Sequence, residues 1–372
     1  MIYFDNAATT FFKPKEVIDA VSATLTASFN SNRGAGGRKA ASSVFDTRQN
    51  IADLVNCIPT RVIFCAGCTA AINAALIGGN MYGGHVLTSV FEHNSVIRPL
   101  KEMERKGVIS LSILIPNNDG YITKEIIERS LRPNTYMAVF SHVSNVTGRA
   151  QNIEKIGEIL KKHKIKFLVD GAQSIGYLNV DMKKCNIDAL CFPAHKGLHA
   201  PQGLGLMCLG NDFNPTPTCF GGTGSDSKNL YQPDFLPDKY ESGTLNHPAI
   251  AGINAAIKWW QNSKDIRLPK IKKIQSYLLE KIEKLPNVTV YSPKNDSGII
   301  SFAVNERDSN ELGDILFDEY DIATRAGLHC APLTHEYLNT IENGMIRVSL
   351  SAENTIDECD TFINALTKII EK

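Results

Sequence analysis

The sequence predicts an α/β protein: a large domain built on a mostly parallel sheet covered by helices, followed by a smaller α+β C-terminal domain. Three observations carry that expectation. Short apolar segments alternate with longer amphipathic ones through the first two-thirds of the chain, the rhythm changes near residue 250, and the chain is 372 residues long. Alternating strands and helices favour parallel pairing, because each crossover packs a helix onto the sheet. A chain of this length exceeds what one hydrophobic core usually serves, so a second domain is expected.

The strand candidates run in order: RVIFC at 61–65, HVLTSV at 85–90, VISLSILI at 108–115, TYMAVFSHV at 135–143, KFLVDGAQ at 166–173, DALCFPA at 188–194 and GLGLMCLG at 203–210. Each is a short apolar run bounded by turn-forming or amphipathic sequence, such as TAAINAALIGG at 69–79 after the first. From 249 the pattern turns to a helical run, AIAGINAAIKWWQNS, then to a Lys/Glu-rich amphipathic stretch, IKKIQSYLLEKIEKL at 271–285, read as a helix with one solvated face. NVTVYSP, GIISFAV, a helix around NELGDILFDEY, the turn ATRAGLHCAPL, the strand MIRVSLS and a closing helix from 357 complete an α+β pattern. The expected division is 15–250 for the large domain, and 1–14 with 251–372 for the small one.

Lys+Arg and Asp+Glu balance at 39 each, with 43% hydrophobic and 21% charged residues. Such a balance exerts no bulk pull toward nucleic acid or a membrane surface. The start, MIYFDNAATT, lacks a basic and then apolar leader, and no run approaches the roughly 18 apolar residues of a membrane span. A cytoplasmic protein is expected. The nine scattered cysteines fit a reducing compartment, and Cys65 and Cys68, spaced like a redox or zinc pair, have no matching second pair. They read as a strand entering a turn, and no metal site is expected.

The sharpest chemical signal is FLVDGAQ, an apolar strand delivering Asp170 at its end, followed by FPAHKGLHAPQGLGL, which sets Lys196 between another apolar strand and a Gly/Pro-rich loop. Ligands of open α/β sheets bind outside the carboxyl ends of strands. A lysine there suggests a Schiff base, and it must lose its proton to attack an aldehyde, which desolvation and neighbouring positive charge promote.

Together VDGAQ, AHKG, DNAATT, EHNS, SNVTG, ESGT and RAGLHC resemble the class V aminotransferases, specifically the cysteine desulfurases and selenocysteine lyases, over nearly the whole chain. The resemblance implies a fold type I enzyme with pyridoxal 5'-phosphate bound to Lys196. By the same resemblance His195 lies near the phosphate, Asp170 pairs with the pyridine nitrogen and Gln173 meets the phenolic oxygen. His93 stacks on the ring as a catalytic group, and Asn145 lies near the ring hydroxyl. Cys68 and Thr69, in a glycine-containing turn opening a helix, match phosphate-contacting positions. Two departures stand out: Ala70 replaces the usual glutamate, and Pro193 stands where a serine or threonine commonly donates to the phosphate. Thr244 and the loop Gly221–Thr223 imply a homodimer whose sites are completed by the neighbouring subunit.

Cys330, within RAGLHC, matches the cysteine that takes sulfur from the substrate, its thiolate favoured by nearby positive charge. His329 is an acid/base neighbour, Arg325 orients the loop or meets substrate, and Arg347 matches the arginine that grips the substrate α-carboxylate. Ala7 and Ala8 line the entrance, and NRGAGGRKA, with Arg33 and Arg38, matches a glycine-rich segment at the site. The implied reaction turns L-cysteine into L-alanine and leaves a persulfide on Cys330 for a sulfur-acceptor protein. A selenocysteine lyase would use nearly the same residues. An aminotransferase or a cystine β-lyase would keep Lys196 and Asp170 without needing Cys330, and a silent cofactor-binding scaffold would need neither activity.

Overall fold

The computed structural model of the chain describes residues 1–25, 34–79 and 81–371, and of residues 34–40 the backbone alone. Its large sheet has seven strands in the order Val62–Cys65, Gly205–Leu209, Ala189–Pro193, Lys166–Asp170, Thr135–Ser141, Gly84–Ser89 and Ile109–Leu114. All of the expected strands form, and one runs against the rest: Gly205–Leu209 is antiparallel to both neighbours. Its connection from Pro193 carries no helix, so the chain has no crossover with which to return parallel.

The central strands read as unbroken apolar runs because both faces are covered. Phe140, Phe167, Val169, Leu190 and Phe192 pack on one side with Ile51 and Val55 of the helix Gly34–Val55, Ile156 and Leu160 of Ile153–Lys162, and Ile253 and Ile257 of His247–Ile282. Val139, Leu168 and Cys191, one residue out of phase, pack on the other side with Ile72 and Leu76 of Cys68–Ile77 and Val96 and Leu100 of Asn94–Arg105. Period-two alternation thus sends successive strand residues into two separate cores.

A third core surrounds a four-stranded antiparallel sheet, ordered Arg325–Gly327, Met345–Ser349, Ile299–Val304 and Val288–Val290. It gathers Leu278, Phe302, Leu316, Val348 and Phe362, and takes in Phe4 from the start of the chain. Ile2–Tyr3 pairs in parallel with Ile322–Ala323. The two helical stretches expected after residue 249 are one continuous helix, His247–Ile282, which passes through Pro269. No glycine between 264 and 281 offers a stop. Its first turns bury Ala249, Ile253 and Ala256 against the large sheet, whereas Ile274, Leu278 and Ile282 enter the third core.

Register sets the functional edge. Ser141 lies beside Asp170, Asp170 beside Cys191, and Pro193 beside Gly205, so three parallel strands end together. A Cβ on Gly205 would stand 2.1 Å from the Gly67 carbonyl carbon, so only glycine lets this strand approach the turn that opens Cys68–Ile77.

Candidate active site

At that edge lies a cavity of about 460 Å³, lined from both sheets and from the first residues of the chain. Asp170 enters it from the end of Lys166–Asp170. One carboxylate oxygen, Oδ1, accepts from the Ala172 N–H at 2.9 Å and faces the Cys68 thiol at 3.9 Å. Burial raises the Asp170 pKa, opposed by the Ala172 N–H and by the charge of Lys196. Lys196 opens onto the same cavity, and burial lowers its pKa, opposed by Asp170 and reinforced by Arg347. Desolvation therefore favours the free amine that a Schiff-base lysine needs.

Packing fixes that lysine from behind. A Cβ on the next residue, Gly197, would stand 2.3 Å from the Ile175 carbonyl oxygen, so the backbone after Lys196 rests directly on the turn that follows Asp170. Ahead of Lys196, the His195 carbonyl accepts from the Thr10 N–H at 3.2 Å and its hydroxyl at 3.1 Å. The His195 ring stays neutral, its pKa lowered to about 4 by burial and by Lys196 and Lys13. Among the described residues, its buried Nδ1 has no hydrogen-bond partner.

His93 is the N-cap of Asn94–Arg105, and its Nδ1 accepts from the Ser95 N–H at 3.0 Å. The proton of the neutral ring is therefore on Nε2, and burial together with Lys196 and Arg347 lowers its pKa to about 4. Behind it Glu92 is fully buried: Oε1 accepts from Ser89 Oγ at 2.6 Å, and Oε2 from the N–H and Oγ of Ser141 at 2.8 Å each. Gln173 Nε2 donates to the Ala7 carbonyl at 3.0 Å, tying the entrance segment Ala7–Ala8 to the cavity wall.

Cys330 is exposed on a tightly held loop. His329 and Cys330 are consecutive non-glycine residues at φ +51° and +55°, a conformation costing about 1–2 kcal/mol each. The surroundings hold them there: Asn145 Nδ2 donates to the His329 carbonyl at 2.7 Å, and the Asn94 N–H to the Cys330 carbonyl at 2.7 Å. Both cations near the thiol are anchored on Asp5, whose Oδ1 meets Arg347 Nη2 at 3.0 Å and whose Oδ2 meets Arg325 Nη2 at 2.8 Å. Arg347 also donates to the Asn145 carbonyl at 3.0 Å, and its buried Nε has no partner among the described residues. The charge beside Cys330 comes from these arginines. His329 does not supply it, because burial and Arg347 hold its pKa well below 6.5.

The cavity thus gathers Lys196, Asp170, His93, Asn145, Gln173, His195, Cys68 and Thr69 with Arg325, His329, Cys330, Arg347, Ala7 and Ala8. The Cys68 side chain is turned to Asp170, so what this residue offers a phosphate is its backbone N–H at the helix N-terminus, after Gly67 at φ +100°. Pro193 lines the same wall and brings no donor. Thr244 is exposed and outside the cavity of its own chain; the loop at Gly221–Thr223, exposed at its two glycines and half-buried at Thr223, is outside it too. Arg33 and the side chain of Arg38 lie outside the described residues. Asp5, Glu92, Ser141 and Asn94 were not singled out by sequence reasoning. Asp5, Glu92 and Asn94 stand inside DNAATT and EHNS, yet nothing in those words shows that Asp5 must neutralise two arginines.

These residues fit pyridoxal 5'-phosphate: a desolvated amine for the aldehyde, a buried carboxylate for the ring nitrogen, and for the phosphate a helix N-terminus, a threonine and an unpartnered His195 nitrogen. A strand-end carboxylate and a lysine just past the next strand's end, in one cavity at the edge of a mostly parallel sheet, define a lysine-dependent α/β enzyme. The chain belongs to the class V aminotransferase family, whose profile, described as Aminotransferase class-V, matches residues 2–362. A "probable cysteine desulfurase" of Borreliella burgdorferi is 31% identical, with 100% of this chain and 92% of that protein aligned. A cysteine desulfurase of Wigglesworthia glossinidia brevipalpis is 30% identical over 99% and 92%. The apo cysteine desulfurase of Thermococcus onnurineus NA1 superposes with a TM-score of 0.91 at 26% identity, covering 100% of this chain and 94% of that one. The family implies pyridoxal phosphate as cofactor.

Proposed function

We propose that the chain is a pyridoxal-phosphate-dependent cysteine desulfurase that moves sulfur from L-cysteine to Cys330, releases L-alanine and passes the sulfur to an acceptor protein. The observation that carries this reading is the meeting of Lys196, Asp170, Arg347 and an exposed Cys330 in one cavity, in a chain whose relatives carry the cysteine desulfurase name.

When bound, the cofactor supplies the electron sink that makes the substrate α-proton labile. Lys196 holds the cofactor and, as a desolvated amine, takes and returns the proton at the α-carbon. With pyridoxal phosphate bound, the Asp170 carboxyl would meet the ring nitrogen, the neutral imidazole of His93 would cover the ring, and Gln173 and Asn145 would border it. His195, Thr69 and the backbone at Cys68 would hold its phosphate. Arg347 receives the substrate α-carboxylate, with Asp5 and the Asn145 carbonyl fixing its guanidinium. Cys330 attacks the substrate sulfur as a thiolate: an S–S bond forms, the C–S bond breaks, and its electron pair stays on carbon, which takes up a proton to become alanine.

We read the enzyme as a cytoplasmic homodimer of two-domain subunits, 15–250 and 1–14 with 251–372. Thr244 and the loop at Gly221–Thr223 serve the neighbouring subunit's site. Nine free thiols suit a reducing compartment. Among the described residues, no helix is long and apolar enough to cross a membrane.

Incubating the purified protein with L-cysteine and L-selenocysteine in parallel tests the reading. It expects alanine from cysteine, and loss of the cofactor's visible absorbance and of alanine release in Lys196→Ala. Alanine from selenocysteine alone would instead favour a selenocysteine lyase.

A further inference from the structure

His329 and the buried His335, on the short helix Pro332–Tyr337 that follows the Cys330 loop, form a pair that the reaction leaves unused. His329 Nε2 lies 3.3 Å from the Arg325 carbonyl, and His329 Nδ1 lies 3.3 Å from His335 Nε2. His335 Nδ1 in turn lies 2.9 Å from Thr340 Oγ1. A carbonyl only accepts, so His329 carries its proton on Nε2. Its Nδ1 is then bare and accepts from His335 Nε2–H, which leaves His335 Nδ1 to accept from the Thr340 hydroxyl. Running the chain the other way would require two protons on His329, a buried cation facing Arg347, and burial favours the neutral form of both rings.

The far end of this chain is fixed independently. Thr334 Oγ1 donates to the carbonyl of Val90, just past Gly84–Ser89, at 2.8 Å, and the Thr340 N–H to the His335 carbonyl at 2.8 Å, so His335 has an anchor on the large sheet besides its backbone bond to Ala331. The near end is the Arg325 carbonyl, in the strand that leads into the left-handed pair His329–Cys330.

We propose that His335 and Thr340 are positioning residues for Cys330. The one-way chain from the Thr340 hydroxyl through His335 and His329 to the Arg325 carbonyl locks the loop that presents the thiol to the cavity shared with Lys196. His329 is engaged in that chain through both nitrogens and takes no part in proton transfer. This deepens the desulfurase reading and rests on it for its catalytic consequence.

The test compares holoenzyme variants by hydrogen–deuterium exchange of residues 325–331 and by first-turnover sulfur transfer to Cys330. His335→Leu removes the chain, His335→Gln keeps an N–H able to reach His329 Nδ1, and Thr340→Val removes the terminal hydroxyl. In His335→Leu exchange should rise about tenfold, and first-turnover transfer should fall about tenfold, with the KM for cysteine unchanged. His335→Gln should restore both to within about threefold. Exchange at the wild-type rate in His335→Leu, or a His335→Gln variant as impaired as His335→Leu with an unchanged melting temperature, overturns the proposal. If His335→Leu does not fold, Thr340→Val decides: faster exchange supports the chain and wild-type exchange overturns it. The exchange readout does not depend on sulfur chemistry, so a wild-type enzyme that never loads sulfur onto Cys330 would defeat the desulfurase reading while exchange still judges the hydrogen-bond chain.

Discussion

Two apolar strands deliver the reactive pair: Asp170 ends Lys166–Asp170 and Lys196 lies three residues past the end of Ala189–Pro193, positions where a charged group is otherwise out of place, which made both legible in the sequence. Glu92 sits beside His93 in EHNS, yet its role depends on Ser141, brought to it from the neighbouring strand Thr135–Ser141, as well as on Ser89 three residues before it. Burial raises its pKa from 4.5 to about 8, against the hydrogen bonds from those serines. Between those values the folded chain holds a proton that the unfolded chain has released, so stability falls as pH rises through the window, by up to about 1.4 kcal/mol per unit. Urea unfolding across that window should show Glu92→Gln gaining stability relative to wild type with rising pH. A constant difference would show that Glu92 is already ionised. Pro193 gives a second expectation at this scale: Pro193→Thr adds a hydroxyl to the cavity wall and should slow loss of cofactor on dialysis about tenfold or more, since a hydrogen bond to a charged group contributes about 1.5–3 kcal/mol. Unchanged or faster loss would remove Pro193 from the phosphate cup.

Elements were legible where periodicity was strong and illegible where direction or continuity depended on distant partners. The seven strands of the large sheet could be read from their apolar runs, but the reversal of Gly205–Leu209 follows from a helix-free connection, and the unity of His247–Ile282 from two cores that each take half of it. The segment before that helix also depends on a distant partner. Glu241, in the word that contains Thr244, is buried against Arg48 of Gly34–Val55 through two hydrogen bonds, 2.9 Å to Nη1 and 2.5 Å to Nη2, and accepts from the Phe64 N–H at 2.7 Å. Arg48 also donates to the Val62 carbonyl. Removing one partner of such a pair leaves an uncompensated buried charge. Arg48→Met should therefore cost about 3–5 kcal/mol in urea unfolding, and Arg48→Met with Glu241→Leu distinctly less than the sum of the two single changes. Additive losses would mean that the pair does not act as a unit.

At the scale of the whole molecule the cavity joins residues from the first ten positions, the large sheet and the strand Met345–Ser349, a convergence that the order of motifs suggested and the register of the sheets explains. Thr244 remains exposed on its own chain, which mixed dimers put to use. If it serves the neighbour's site, Lys196→Ala paired with Thr244→Val retains one intact site. Both changes on one chain, paired with wild type, leave an impaired one. Equal activity in the two mixtures, or the reverse order, would place Thr244 outside the neighbour's site. The central claim is that Cys330 receives the sulfur, and its most direct measurement is sulfide and alanine release from L-cysteine by Cys330→Ala holoenzyme, alongside the mass of the wild-type peptide that contains Cys330. The account predicts one added sulfur on the wild-type peptide and loss of sulfide release in a variant that keeps its cofactor absorbance. Full sulfide release by Cys330→Ala would contradict it.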